Sequence, residues 1–86
     1  MDTYAKRQLE MLIIQQNREL VKDLLKDSED LGPLLGSFIN SALLSAKAEV
    51  YSRLLASCSD FNATPIELKE WLDGLFSEEL KKYMQL

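Results

Sequence analysis

Between Leu34 and Ala56 the sequence predicts a helix that is apolar on two sides. A surface helix needs one apolar stripe, so a helix with two is enclosed by its own fold or shared with a partner. The broad face contains Leu35, Phe38, Ile39, Ala42, Leu43, Ala46, Val50 and Leu54. The narrow stripe contains Leu44, Ala48, Tyr51 and Leu55, and a line of serines and Ala56 runs between the two. In a chain of only 86 residues this pattern points toward assembly.

Length and composition predict one small helical domain over residues 1–86. The chain is 47% hydrophobic and 28% charged with both signs mixed, which is typical of a folded globular protein. Three glycines and two prolines leave few places to break the chain, and this favours long helices over a many-turned β fold. Eighty-six residues form a feasible but small core.

The apolar spacing predicts two long helices followed by one or two short ones. The first runs over about 3–26, with Ala5, Leu9, Leu12, Ile13, Leu20 and Leu24 toward the core and Gln16 interrupting them. A turn near 27–32 leads to a second helix over 33–57, which lies antiparallel to the first. Thr64, Pro65 and Glu67 resemble a capping box, so a third helix is expected over 65–73 and ends at Gly74. A fourth follows over 78–84, capped by Ser77. The predicted fold is all-α: a long antiparallel helical hairpin with one or two short C-terminal helices, forming a small helical bundle.

The charge pattern argues against nucleic acid as a partner. The net charge is −4 and the ten basic residues are scattered rather than gathered on one face. The alternative is a transcriptional or nucleic-acid-associated regulator whose short C-terminal helices form a helix-turn-helix-like unit. Its recognition helix would begin Ser77-Glu78-Glu79, which places acidic groups toward phosphate.

The residues required for common catalytic and metal sites are missing. The chain has no histidine, so Cys58 lacks the partner that would activate it as a nucleophile. Asp60, Asn62 and Thr64 alternate like calcium ligands, but Pro65 stands where that loop needs glycine. We therefore expect no enzyme activity, cofactor, metal or small-molecule substrate. One cysteine and no long apolar run predict a cytoplasmic protein outside the membrane.

The leading interpretation is a non-catalytic protein–protein interaction module: a small acidic helical adaptor, inhibitor or chaperone-like protein. Two stripes share a spacing of seven and then four residues, as the contact positions of paired helices do. We name these six residues the predicted seam: Ile14, Val21 and Leu25 on the first helix, and Leu44, Tyr51 and Leu55 on the second. The expected occupant is a protein partner, a second copy of the chain in a homodimer, or both.

Overall fold

The computed structural model describes residues 3–84 as an all-α bundle of three long helices. They are α1 (Thr3–Lys26), α3 (Leu35–Leu55) and α4 (Pro65–Met84); a short α2 (Ser28–Leu31) and a 3₁₀ turn (Gly32–Leu34) connect the first two. The predicted all-α fold is confirmed. The four outermost residues of the predicted domain, Met1, Asp2, Gln85 and Leu86, lie outside the described range.

The three helices run up, down and up. The beginning of α1 and the end of α3 line one hollow through Leu9 and Leu54, so these helices are antiparallel, as predicted. An ion pair of 3.1 Å joins Lys47 to Asp73 in the middle of α3 and α4. Earlier residues of α3 meet later residues of α4, so this pair is antiparallel as well. It follows that α1 and α4 run parallel.

All three long helices contribute to one core. At about 3.6 residues per turn, side chains four apart share a face, and each helix buries such a series. The packed residues are Ile13 and Val21 of α1, Ile39 and Leu43 of α3, and Leu68, Leu72 and Phe76 of α4. Burial of this shared apolar surface is the main favourable term in the stability of such a small bundle.

The buried stripe of α1 differs from its predicted position. Leu12, predicted in the core, is more than half exposed, whereas Asn17 is fully buried between Ile13 and Val21. The packing of α4 against α1 explains the difference, because a third helix rotates the enclosed face toward itself. Phe38 of α3, also predicted in the core, is exposed for a similar reason: it lies away from α4 on the helical wheel.

Residues 65–84 form one helix of 20 residues, so the predicted break at Gly74 is wrong. Gly74 lies inside the helix, and its φ is not positive as a C-terminal glycine stop requires. A helical glycine costs up to about 1 kcal/mol relative to alanine. The burial of Leu68, Leu72 and Phe76 on one continuous face outweighs that cost.

The two connections follow local chemistry. Gly32 adopts φ +53° and ψ −128°, a conformation that favours glycine. This residue ends α2 and separates it from α3. The predicted cap on α4 is confirmed: the Glu67 backbone N–H donates to Thr64 Oγ1 at 3.2 Å. Pro65 follows at the first helical position, where its missing N–H costs nothing.

Candidate partner-binding surfaces

The structure divides the predicted seam among different environments. Val21 is buried in the core, so it is not available to a partner, and its assignment to the seam is corrected. Tyr51 is half-buried and packs against the core. It lines a hollow with Lys69 and Leu72 of α4, so the C-terminal helix covers much of this ring.

The other four seam residues lie on two different helices. Leu44 and Leu55 are exposed on α3, and Leu44 lines a hollow with Phe76 and Leu80 of α4. Leu25 is exposed and Ile14 half-buried on α1. Because the core buries one seam residue and packs against another, the six do not form one continuous exposed surface.

A long strip of exposed, uncharged side chains follows the outside of α3. We call it the outer α3 face, and it contains the following residues: Ser37, Phe38, Ser41, Leu44, Ser45, Ala48, Ser52 and Leu55. Exposed helix faces usually carry charged residues. The exposed charges on α3, Glu49 and Arg53, form a 2.6 Å ion pair with each other at the edge of the strip. Of the predicted narrow stripe, Leu44, Ala48 and Leu55 are exposed in this strip, whereas Tyr51 packs against the core.

A second surface lies where α1 meets α4. The Trp71 indole N–H donates to Glu10 Oε1 at 2.9 Å, which joins the two helices. Around this bond is an open depression, the acidic groove, lined by Glu10, Glu70, Trp71, Gly74, Leu75 and Glu78. Gly74 leaves room at its centre, because a Cβ built there would meet no atom within 4 Å.

Next to the groove, α1 presents a basic and apolar surface. We call it the basic ridge because all its residues lie on the outside of one helix, where their side chains surround a hollow: Met11, Ile14, Gln15, Arg18, Glu19 and Lys22. Met11 is 71% exposed, which is unusually high for a large apolar side chain. The spacing Tyr4, Met11, Arg18, Leu25 could have indicated this ridge from sequence, because each residue follows the last by seven. The bond from Trp71 to Glu10 spans 61 residues and had no local signal.

Near the far end of the bundle, Tyr83 of α4 meets α1. Burial is the main cause that raises the pKa of Tyr83 above its ordinary value of 10.0, and the negative charge of Glu79 adds to it. Arg18, through its charge and a hydrogen bond, and Lys82 act in the opposite direction on that pKa. Glu79 itself is fully buried and accepts a hydrogen bond from Lys82 Nζ at 3.2 Å. The hydrogen bond between Arg18 and Tyr83 links α1 to α4 at this end, whereas the bond from Lys82 to Glu79 lies within α4.

Two kinds of feature are absent from the described residues: clusters of metal-ligating side chains and membrane-spanning helices. Within residues 3–84, no group of three or more cysteine, aspartate or glutamate side chains is placed to hold a metal ion. Over the same range, none of the helices combines the length and the apolar character that crossing a membrane demands. The helix-turn-helix-like unit of the alternative interpretation does not form, since α4 is unbroken.

No family model matches the chain, and no curated protein or solved structure is significantly similar to it. The functional argument therefore depends on the two surfaces described above.

Proposed function

We propose that this protein is a non-catalytic interaction module that binds a protein partner through the outer α3 face. The observation that supports it is the exposed, uncharged strip along α3, with Phe38, Leu44 and Leu55 among its small residues. Large contiguous apolar surfaces are uncommon on soluble monomers and mark interaction sites.

The composition of the strip suits a helical partner. Serine and alanine allow close approach of two backbones, while the larger side chains of Phe38, Leu44 and Leu55 can insert between the side chains of the other helix. The strip spans about 27 Å from Ser37 to Leu55 at ~1.5 Å per residue, enough for several turns of contact. Adaptor, inhibitor and chaperone-like proteins all work by such contacts, and a cytoplasmic location is part of this proposal.

The test compares two variants that remove exposed apolar side chains from different places. The double variant Leu44→Glu/Leu55→Glu introduces charge into the outer α3 face, and Ile66→Glu introduces it at a residue of α4 that is more exposed than either leucine. The parent and both variants serve as bait, and captured proteins are identified by mass spectrometry. We expect at least one protein to be retained by the parent and Ile66→Glu and lost with the double variant. If no captured protein depends on the α3 residues, the proposal is wrong.

A thermal melt followed by circular dichroism accompanies this test. Leu44 and Leu55 lie outside the core, so the double variant should melt close to the parent. Tyr51 is not a suitable site for this test, because its ring packs against the core and a charge there would destabilise the bundle.

A further inference from the structure

We infer that the side formed by α1 and α4 binds a second copy of this chain, with the basic ridge of each copy in the acidic groove of the other. The inference goes beyond the proposed function, because it uses different helices and a different occupant. It begins from the chemical contrast between two adjacent surfaces on one side of the molecule.

The charges of the two helices are complementary. Helix α1 carries five basic and three acidic residues, and α4 carries five acidic and three basic residues. Lys22 of the ridge and Glu70 of the groove take part in none of the ion pairs formed within residues 3–84. Both are exposed and thus available to an opposite charge on another molecule.

The apolar parts are complementary as well. The ridge presents Met11 and Ile14, and the floor of the groove is formed by Trp71, Gly74 and Leu75. Methionine adapts to irregular spaces and makes favourable contacts with aromatic rings. Gly74 is the position where α4 has no side chain, and the space above it accommodates an apolar side chain from outside.

The positions of the ridge and the groove are compatible with a dimer of two-fold symmetry. A symmetric dimer needs a surface on which one patch fits a second patch of the same molecule, so that each contact occurs twice. The ridge extends about 16 Å along α1 and the groove about 12 Å along α4, at ~1.5 Å per residue. Their centres are offset along the bundle, since Glu10 of the groove precedes the ridge on α1. An antiparallel pairing brings each ridge opposite the other copy's groove.

A dimer of standard size would bury most of this side of the molecule, including surface around the ridge and the groove. The molecule measures 44 × 19 × 19 Å, so one long side offers roughly the 800 Å² that each partner buries in a standard interface. The groove and ridge occupy the middle of that side. The outer α3 face is on another side, so a dimer of this kind leaves the proposed partner surface open.

Charge exchange provides the first test. Light scattering after size exclusion gives the molar mass of the parent, Lys22→Glu, Glu70→Lys and the combined variant over a concentration series. We expect the parent to dimerise, each single variant to weaken association by roughly tenfold, and the combination to recover it, since each exchanged charge again meets its opposite. The control Lys69→Glu, which makes the same change on the side of α4 toward α3, should dimerise like the parent.

Filling the groove provides the second test. Gly74→Leu adds a side chain where the monomer has open space, so its melt should be no lower than that of the parent, while dimerisation is lost. Ser77→Leu, on the α3 side of α4, is the matched control and should leave the dimer intact.

Several outcomes would overturn the inference. A parent that stays monomeric at the highest concentration excludes the dimer, and a dimer that tolerates Gly74→Leu and both charge reversals uses another surface. A dimer lost only in Leu44→Glu/Leu55→Glu would assign the second copy to the outer α3 face. The double variant of the capture experiment changes only α3, and its control residue Ile66 lies in neither the ridge nor the groove, so the proposed function and this inference can each fail without the other.

Discussion

At the scale of single residues, Asn17 is the least expected member of the core. Its side chain is 2% exposed, and its Nδ2 has no hydrogen-bond partner. A buried amide without a partner loses its bonds to water and gains none in return. It therefore lowers the stability of the bundle at the centre of the α1 stripe.

Replacing Asn17 with leucine should raise the free energy of unfolding by about 1–2 kcal/mol, because leucine has the same branching and no polar atoms. Urea denaturation followed by circular dichroism measures the change. The slope of the unfolding free energy against urea concentration should stay the same. Gln16→Leu is the control: its side chain is exposed, and its midpoint should hardly move. A lower midpoint for Asn17→Leu would show that the amide has a stabilising role.

The sequence indicated a polar interruption of the α1 stripe but assigned it to Gln16, one residue too early. The hydrophobic period alone defines the face only to within about one position, because neighbouring stripes of α1 are all partly apolar. The position of α4 decides between them, and that contact is far away in sequence. The burial of a residue was thus predictable where contact between two neighbouring helices determines it, and not where a third helix contributes.

At the scale of elements, Gly32 and Gly74 have opposite roles. Gly32 ends α2 with φ +53°, whereas Gly74 is an ordinary helical residue of α4. In neither case would a Cβ meet an atom within 4 Å, so backbone conformation alone determines the effect of alanine.

Gly74→Ala should raise the free energy of unfolding by about 0.5–1 kcal/mol, the gain in helix propensity. Gly32→Ala should lower it by about 1–3 kcal/mol, because alanine is strained at that φ and ψ. Thermal or urea unfolding of the two variants measures the sign of each change in the free energy of unfolding. If Gly74→Ala were destabilising, α4 would be broken at Gly74 as the sequence alone suggested.

Helix existence and most helix ends were predictable because their signals are local. Thr64 and Pro65 mark the start of α4, and the predicted first helix has the same bounds, 3–26, as α1. The continuity of α4 was not predictable from Gly74, since the burial of Leu72 and Phe76 that overrides the glycine depends on α3. The sequence indicated part of the exposed side of α3, because the predicted helix carried a second apolar stripe.

At the scale of the whole molecule, Tyr83 links stability to pH. Burial keeps its hydroxyl neutral in the folded protein, so its pKa there is higher than in the unfolded chain. Below the unfolded pKa both states are protonated and this contribution is fully present. As the pH rises through the folded pKa, the unfolded chain has already released its proton, and stability is lost.

We therefore expect the free energy of unfolding to fall as the pH is raised from about 8 to about 11, and Tyr83→Phe to reduce that fall. The difference between the parent and Tyr83→Phe is the informative quantity, because it isolates the contribution of this hydroxyl. Urea unfolding at a series of pH values measures it. Equal slopes for both proteins would mean that Tyr83 is as solvated in the bundle as in the unfolded chain.

The up-down-up order of the helices has a consequence for folding kinetics. The α1–α3 and α3–α4 contacts join neighbours along the chain, and such local contacts form quickly. Contacts between α1 and α4, such as that of Glu10 with Trp71, must close a loop of about sixty residues and carry the larger entropic cost. The side of the molecule that they create is complete only in the fully folded state. A ligand on that side would bind no partly folded form, and above its Kd it would stabilise the whole bundle by an amount that grows with the logarithm of its concentration.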